Sequence, residues 1–328
     1  MKRMMAVLLA LLLCLPFGGC APQERTRQAY LLNTLVRLTL WDAEDAVFDA
    51  CFALIREAEA ELSRTDPASV LARLNAREID TVSAETAELI ADALMLAAQT
   101  GGAFDPTVGR LCALWDFTAE SPEVPAADSL AEACASVGYT GVHLDGTTVT
   151  FDNPDTQLDL GAVAKGEIAD RVAAYLRGQG VRHAILNLGG NILVIGGKPD
   201  GQAYRIGVQD PDADGSSSLL SIALRDGSAV TSGIYNRGFT AGDGQYYHHI
   251  IDPHTGYPCD NELASVTILS QSSRQGDGLS TACMLLGLDE GLAMIEATAG
   301  VEAIFITRTG EVICSSGVEK DYDLQMLK

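Results

Sequence analysis

A mixed α/β fold is predicted by three features of this chain: amphipathic helical stripes, strands of period-two alternation, and turn signals that join them. Val47, Cys51, Leu54, Ile55, Ala58 and Leu62 recur at three- and four-residue steps and form one helical stripe. Val36, Leu38 and Leu40 alternate with Arg37 and Thr39 as a half-buried strand does. Asp145-Gly146, between apolar alternations over 142–151, is a strong short hairpin signal. At 328 residues the chain can hold two domains or one large mixed domain, and it can bury a full core without disulfide staples.

The N-terminus is a targeting segment. Lys2 and Arg3 precede an apolar run from Met4 to Phe17 and then Gly18-Gly19-Cys20, which is the pattern of a secretion signal too short for a mature membrane span. Small residues before Cys20 resemble a lipobox, which implies a leader over 1–19 and a lipid on Cys20. Plain secretion is the other reading, since Phe17 replaces the usual Leu. A polar tether is expected over 20–28, followed by the folded part over 29–328.

From there a strand is expected over 29–40, a helix capped by Asp42 to about Arg64, and a second helix from Ser83 to about Thr100 that stops at Gly101-Gly102. Residues 102–109, GAFDPTVG, are unusual for a loop. Their glycines permit close approach of a ligand and Pro106 holds Asp105 extended, although a plain helix-to-helix turn has the same composition. A surface loop over 118–128, a short helix over 128–136 and the 142–151 hairpin follow. Leu158-Asp159-Leu160 then runs through Gly161 into a helix, a junction that favours an anion, with Lys165 one turn inside.

Strands are expected at 184–188, 192–195, 204–208, 219–224, 229–233 and 265–269, with a DPDADGSSS linker between the third and fourth. The hairpin partner of 229–233 is expected to be Tyr246 to Pro258, YYHHIIDPHTGYP, a strand running into successive turns. An ordinary strand and loop would look the same, yet Tyr, His, Asp and Thr are also the types that shuttle protons and contact phosphates. A helix over 282–286 is opened by Gly276-Asp277-Gly278-Leu279-Ser280-Thr281. Asp277, Ser280 and Thr281 share one face there, as a routine N-terminal cap or as oxygen donors suited to Mg²⁺. A helix over 289–299 and a hairpin over 302–315 end the chain.

Charge and motif absences narrow the function. Twenty-two basic against forty-four acidic residues give −22, which repels a phosphate backbone and argues against nucleic acid as a partner. Cys51, Cys112, Cys134, Cys259, Cys283 and Cys314 form no C-x-x-C pair or Cys/His cluster, so no zinc site is expected. No G-x-x-x-x-G-K-[ST] loop, G-x-G-x-x-G fingerprint or G-x-S-x-G elbow is present.

Taken together, GAFDPTVG (102–109), LDLGAVAKGEIAD (158–170), ILNLGGNI (185–192), YRIGVQDP (204–211), AVTSGIY (229–235), HHIIDPHTGYP (248–258) and DGLSTA (277–282) resemble, in order, the FAD:protein FMN transferases, the ApbE-type flavin transferases. The resemblance implies one α/β (α+β) domain of antiparallel sheets flanked by helices, with its active site between two halves. It implies transfer of FMN from FAD, through a phosphoester bond, to a Thr or Ser of an extracytoplasmic redox flavoprotein, with release of AMP. FAD is then expected against Leu32, Thr65, Ala103, Phe104, Asp105, Asp159, Lys165 and Ile251. Mg²⁺ is expected on Asp277 and Thr281, with Ser280 and the backbone of Ala162 nearby, and His249 and Asp277 are the expected catalytic pair. Two positions depart from the family pattern: its Met-Gly-Thr is Leu32-Asn33-Thr34 here, and its aromatic after Ser63 is Thr65. The same site opened to water would be an FAD pyrophosphatase giving FMN and AMP, and without turnover it would be a flavin-binding lipoprotein.

Overall fold

The computed structural model describes residues 22–213, 217–242 and 244–328, so the leader and Cys20 lie outside the described residues. The chain opens on a hairpin of β1 (Glu24–Leu31) and β2 (Thr34–Trp41), then runs through α1 (Asp45–Leu62), α2 (Val70–Asn75), α3 (Ala84–Gln99), α4 (Gly109–Trp115) and α5 (Ala127–Cys134). The hairpin β3 (Val142–Asp145) and β4 (Thr148–Phe151) leads to α6 (Gly161–Gly178). Strands β5 (Ala184–Leu188), β6 (Asn191–Ile195), β7 (Tyr204–Gln209), β8 (Ser218–Leu224), β9 (Gly227–Gly233), β10 (Gly238–Thr240), β11 (Tyr246–His248) and β12 (Leu263–Ser270) follow. The chain closes with α7 (Ser273–Leu286), α8 (Leu288–Glu296), β13 (Glu302–Thr307), β14 (Val312–Cys314), α9 (Val318–Asp321) and β15 (Gln325–Met326).

Eight strands make one sheet in the order β1-β2-β5-β6-β9-β12-β13-β14, and every neighbouring pair is antiparallel. Both faces of this sheet are covered. Leu38, Leu40, Leu186 and Leu193 pack with Phe48 and Ile55 of α1 and Val172 and Leu176 of α6, while Val266, Ile268 and Phe305 pack with α3, α7 and α8. On the opposite face Val194, Leu269, Ile304 and Ile306 meet the small sheet β15-β8-β7 through Tyr204, Val208 and Ile222. A strand covered on both sides has no polar face, and all eight residues of β12 are buried.

The expected mixed architecture of antiparallel sheets flanked by helices is present, with several local corrections. The stretch 29–40 is two strands: Leu32 and Asn33 turn it with φ of 55° and 53°. Asn suits that left-handed turn but Leu does not, so no Gly or Pro marks it. Strand β1 begins at Glu24, inside the stretch expected to be a polar tether. Asp42, at φ 55°, caps no helix and instead accepts from the Gln23 N–H. The partner of β9 is β12 on one side and β6 on the other, whereas β11 pairs with β10. Helix α7 starts at Ser273 and not at Gly276, because the Ser272 hydroxyl accepts from Gln275 N and Asp170 of α6 accepts from the N–H groups of Ser273 and Arg274. The Ser83 cap of α3 and the stop at Gly101-Gly102, both at positive φ, stand as expected.

Helices α6 and α7 cross at a contact that only glycine permits. A Cβ on Gly166 would lie 2.3 Å from the Ser273 carbonyl oxygen and 2.6 Å from Arg274 Cα. Both are backbone atoms of the facing helix and have no rotamer to retreat into. Gly166→Ala is therefore expected to destabilise the fold by about 1–3 kcal/mol. A denaturant melt that leaves the unfolding midpoint unchanged would refute this crossing.

Candidate active site

One cavity of about 610 Å³ opens between the α1–α4 region and the C-terminal half, within the usual size range of ligand sites. Its walls include the predicted residues Leu32, Thr65, Phe104, Asp105, Asp159, Ala162, Lys165, His249, Ile251, Asp277 and Thr281. Two predicted residues stand apart from it. Ala103 is not part of the lining, and Ser280 is fully buried behind it. The Ser280 hydroxyl donates to the Asp277 carbonyl at 2.8 Å and lies 2.7 Å from Ser232 Oγ, so it is engaged within the protein.

Backbone pairing places the two N-terminal motifs side by side. Asp159 N–H donates to the Pro106 carbonyl at 2.8 Å, and Gly109 N–H donates to the Gln157 carbonyl at 2.9 Å. Asn75 at the end of α2 holds Leu158 from both sides, through its N–H and its carbonyl. Asp105 is buried; it accepts from Thr107 N–H and Thr107 Oγ1 with one oxygen and from Tyr139 N–H with the other. Its carboxyl is raised by burial, against which these hydrogen bonds and His254 act. Asp105 thus shapes the loop that carries Phe104 into the wall.

Asp159 turns back on the start of α6. One oxygen accepts from Gly161 N–H at 2.7 Å and the other from Arg64 Nε at 2.8 Å. Cys112 lines the same wall, and burial followed by the Asp159 charge pushes its thiol well above the ordinary range.

The opposite wall is built where α6 meets α7. Asp277 is buried, and its carboxyl is raised by that burial. Gly166 N–H donates to Oδ2 at 2.9 Å, and Lys165 Nζ lies 3.4 Å from Oδ1. In a regular helix the Gly166 N–H would serve the Ala162 carbonyl, and here it donates to Asp277. Thr281 Oγ1 lies 3.2 Å from Ser232 Oγ at the end of β9. The wall therefore offers a carboxylate, a hydroxyl and a backbone carbonyl beside one ammonium. Oxygen donors with a single carboxylate suit a hard cation that keeps most of its waters. Among the described residues no cluster of three His, Cys, Asp or Glu exists, so an all-protein cage is not what this wall provides.

His249 enters from the strand end after β11. Its Nδ1–H donates to the Arg237 carbonyl at 3.2 Å, and its own backbone N–H reaches the same oxygen at 3.1 Å. A carbonyl can only accept, so the proton sits on Nδ1 and Nε2 keeps its lone pair. Burial, reinforced by the Arg237 charge, pushes this half-buried imidazole down to about 4. His248 is held differently. Its Nε2–H donates to Cys259 O at 3.0 Å, its Nδ1 accepts from Ile250 N–H, and burial also pushes it to about 4. His248 is structural, His254 is exposed, and Asp252 accepts from His254 N–H and the Thr255 hydroxyl to shape the turn.

The sequence reading passed over Arg64, Arg237, Phe117 and Glu59, all of which line the cavity. Arg64 sits beside Thr65 and was hidden within a helix end. Phe117 stacks on Trp115 with ring centroids 5.5 Å apart and planes within 6°, in a cluster with Phe239 and Tyr247. It brings an aromatic ring to the cavity wall.

The chain is similar to known proteins over most of its length. The ApbE family profile matches residues 32–305. A FAD:protein FMN transferase of Treponema pallidum is 34% identical over 328 aligned residues, covering 92% of this chain and 90% of the relative. One from Klebsiella pneumoniae is 37% identical and covers 88% of this chain and 90% of its own length. Among solved structures, the ApbE protein of Thermotoga maritima superposes with a TM-score of 0.82 at 32% identity, covering 90% of this chain and 98% of that one. The flavin transferase ApbE from Vibrio cholerae gives 0.81 at 30% identity, over 91% and 99%.

Two imidazoles neutral down to about pH 4 have a measurable consequence. The unfolded chain takes up those protons near 6.5, whereas the folded protein does so only near 4. Stability is therefore fully present above 6.5 and is lost as pH falls toward 4. Ring-proton NMR is expected to show two of the five histidines titrating near 4. Five ordinary midpoints would contradict both environments.

Proposed function

The chain belongs to the ApbE family, and on that premise we propose how its cavity carries out FMN transfer from FAD to a protein acceptor. The protein is a FAD:protein FMN transferase. The observation that carries the mechanism is that one cavity joins His249, Lys165, Asp277 and Thr281 from three separate elements. In the transfer the oxygen of an acceptor Thr or Ser attacks the FMN-side phosphorus. A new O–P bond forms, the bond from that phosphorus to the oxygen bridging to AMP breaks, and AMP leaves with that oxygen. The hydroxyl proton goes to Nε2 of His249, which is neutral at pH 7 and locked in the accepting tautomer by Arg237 O. Lys165 and Arg64 set positive charge along the path of the diphosphate.

Mg²⁺ dependence is part of the proposal. Asp277, Thr281 and the Ala162 carbonyl are the residues that would hold the ion, with Ser280 supporting Asp277 from behind. Bound there, Mg²⁺ supplies neutralisation of charge on the diphosphate oxygens. The burial of Asp277 supports this, because beyond the Lys165 ammonium at 3.4 Å its carboxylate meets no other cation among the described residues.

We further propose export and anchoring on the outer face of the membrane through a lipid on Cys20, with a redox flavoprotein subunit of the same compartment as acceptor. The basic start, the apolar run and Gly18-Gly19-Cys20 support this reading. No helix among the described residues is long and apolar enough to cross a membrane. Cys20→Ala is expected to move the protein from the membrane fraction to the soluble one, and retention in the membrane would sink the anchor.

The enzymology is tested by incubating FAD, Mg²⁺ and the extracytoplasmic domain of a covalently flavinylated redox subunit, with mass spectrometry of the acceptor. Wild type is expected to leave FMN on a Thr or Ser, whereas free FMN alone would indicate hydrolysis. Asp277→Ala is expected to abolish the Mg²⁺-dependent step. His249→Gln is expected to slow the chemical step by about 10²–10⁴ while FAD binding changes little. Equal losses in binding and rate would remove His249 from the role of base.

A further inference from the structure

We propose that Arg237 is a further catalytic residue, whose guanidinium grips the diphosphate of FAD and holds it more tightly in the transition state than in the bound substrate. This rests on the reading of the cavity as the FMN-transfer site. Arg237 lies in the turn between β9 and β10, is exposed, and lines the cavity beside His249. The other two cations named on the walls are committed: Arg64 pairs with Asp159 at 2.8 Å and Lys165 approaches Asp277 at 3.4 Å. Arg237 forms no ion pair or side-chain hydrogen bond among the described residues. In a chain with twice as many acidic as basic residues, a guanidinium left without a carboxylate at the mouth of a substrate cavity is available for an anion from outside. Its planar fork matches phosphate oxygens in a way an ammonium does not.

The backbone ties Arg237 to His249. The Arg237 carbonyl receives both the N–H and the Nδ1–H of His249, so base and guanidinium issue from one point. As the acceptor oxygen bonds to the FMN-side phosphorus and the bond to AMP breaks, negative charge moves onto the departing phosphate and the hydroxyl proton passes to His249. Donors that meet that charge as it develops act on the step itself more than on binding.

Arg237→Gln and Arg237→Lys test this cleanly, because the carbonyl that orients His249 is unchanged in both. FAD binding is read by flavin fluorescence, and single-turnover cleavage by FMN on the acceptor and by AMP release. Arg237→Gln is expected to lower the rate constant about a hundredfold, with less than about a tenfold loss in FAD affinity, and Arg237→Lys to recover part of the rate. A rate for Arg237→Gln within twofold of wild type, or equal losses in rate and affinity, would overturn the proposal. Wild type separates the two layers: free FMN without FMN on the acceptor overturns the transfer reading, while Arg237 is still judged on the ratio of variant to wild-type diphosphate cleavage. Intact FAD with wild type would overturn both.

Discussion

The donation from Gly166 N–H to Asp277 Oδ2 is the contact on which the rest of the active region depends, because it exists only if α6 and α7 come into backbone contact. Close approach is secured on both helices. Gly166 removes the side chain that would strike Ser273 and Arg274, and Gly278 removes one that would lie 3.2 Å from Val163 Cγ1 of α6 and 2.9 Å from Leu96 Cδ2 of α3. The pair is then tied by charge and capping. Asp170 of α6 accepts from Ser272, Ser273 and Arg274 at the start of α7, and Glu167 pairs with Arg274 at 3.4 Å and with Arg171 at 2.6 Å. Arg171 continues to Glu61 of α1, which accepts from Ser83 and Thr86 at the start of α3. Four helices are thereby registered around one carboxylate, which can stay buried only because this frame supplies its donors.

That frame explains what the sequence could and could not disclose. The local signals worked where a residue's own chemistry decides its conformation: the Ser83 cap, the Gly101-Gly102 stop, the 142–151 hairpin and the start of α6 after Leu160. They misled where tertiary contacts override local preference. Gly276 and Gly278 look like breaks ahead of a helix, but they lie inside α7, where their lack of side chains serves packing against Val230 and Leu96. Leu32 in a left-handed turn has no local reason to be there; Glu59 of α1 accepts its N–H at 3.0 Å and holds it.

The site shows the same division. Family motifs located nine of its wall residues, and the two positions that depart from the family pattern, Leu32 and Thr65, line it as well. Ser280 shares the exposed-looking face of a helix with Asp277 and Thr281, yet the packing of β9 against α7 buries it on Ser232. Arg237 and Phe117 belong to stretches with no periodicity and Arg64 to an expected helix end, and only the folded chain shows that they converge. Phe117 is the clearest case: its orientation comes from stacking on Trp115, whose Nε1–H is fixed by the Gly256 carbonyl at 2.8 Å from the 248–258 segment.

The remaining physical question for such a site is how a protein hydroxyl outcompetes water. The base does not discriminate, since a neutral imidazole takes a proton from water as readily as from Thr. Nor do the cations or the proposed Mg²⁺ ligands, which act on the phosphorus and its oxygens whichever nucleophile arrives. Preference must come from position and from exclusion of solvent, where holding the nucleophile in line is worth several orders of magnitude in rate. The Leu32-Asn33 turn and the Asp116–Thr118 segment both line the cavity and both depart from regular backbone, with φ of 55° and 53° in the first and 30° at Asp116 in the second.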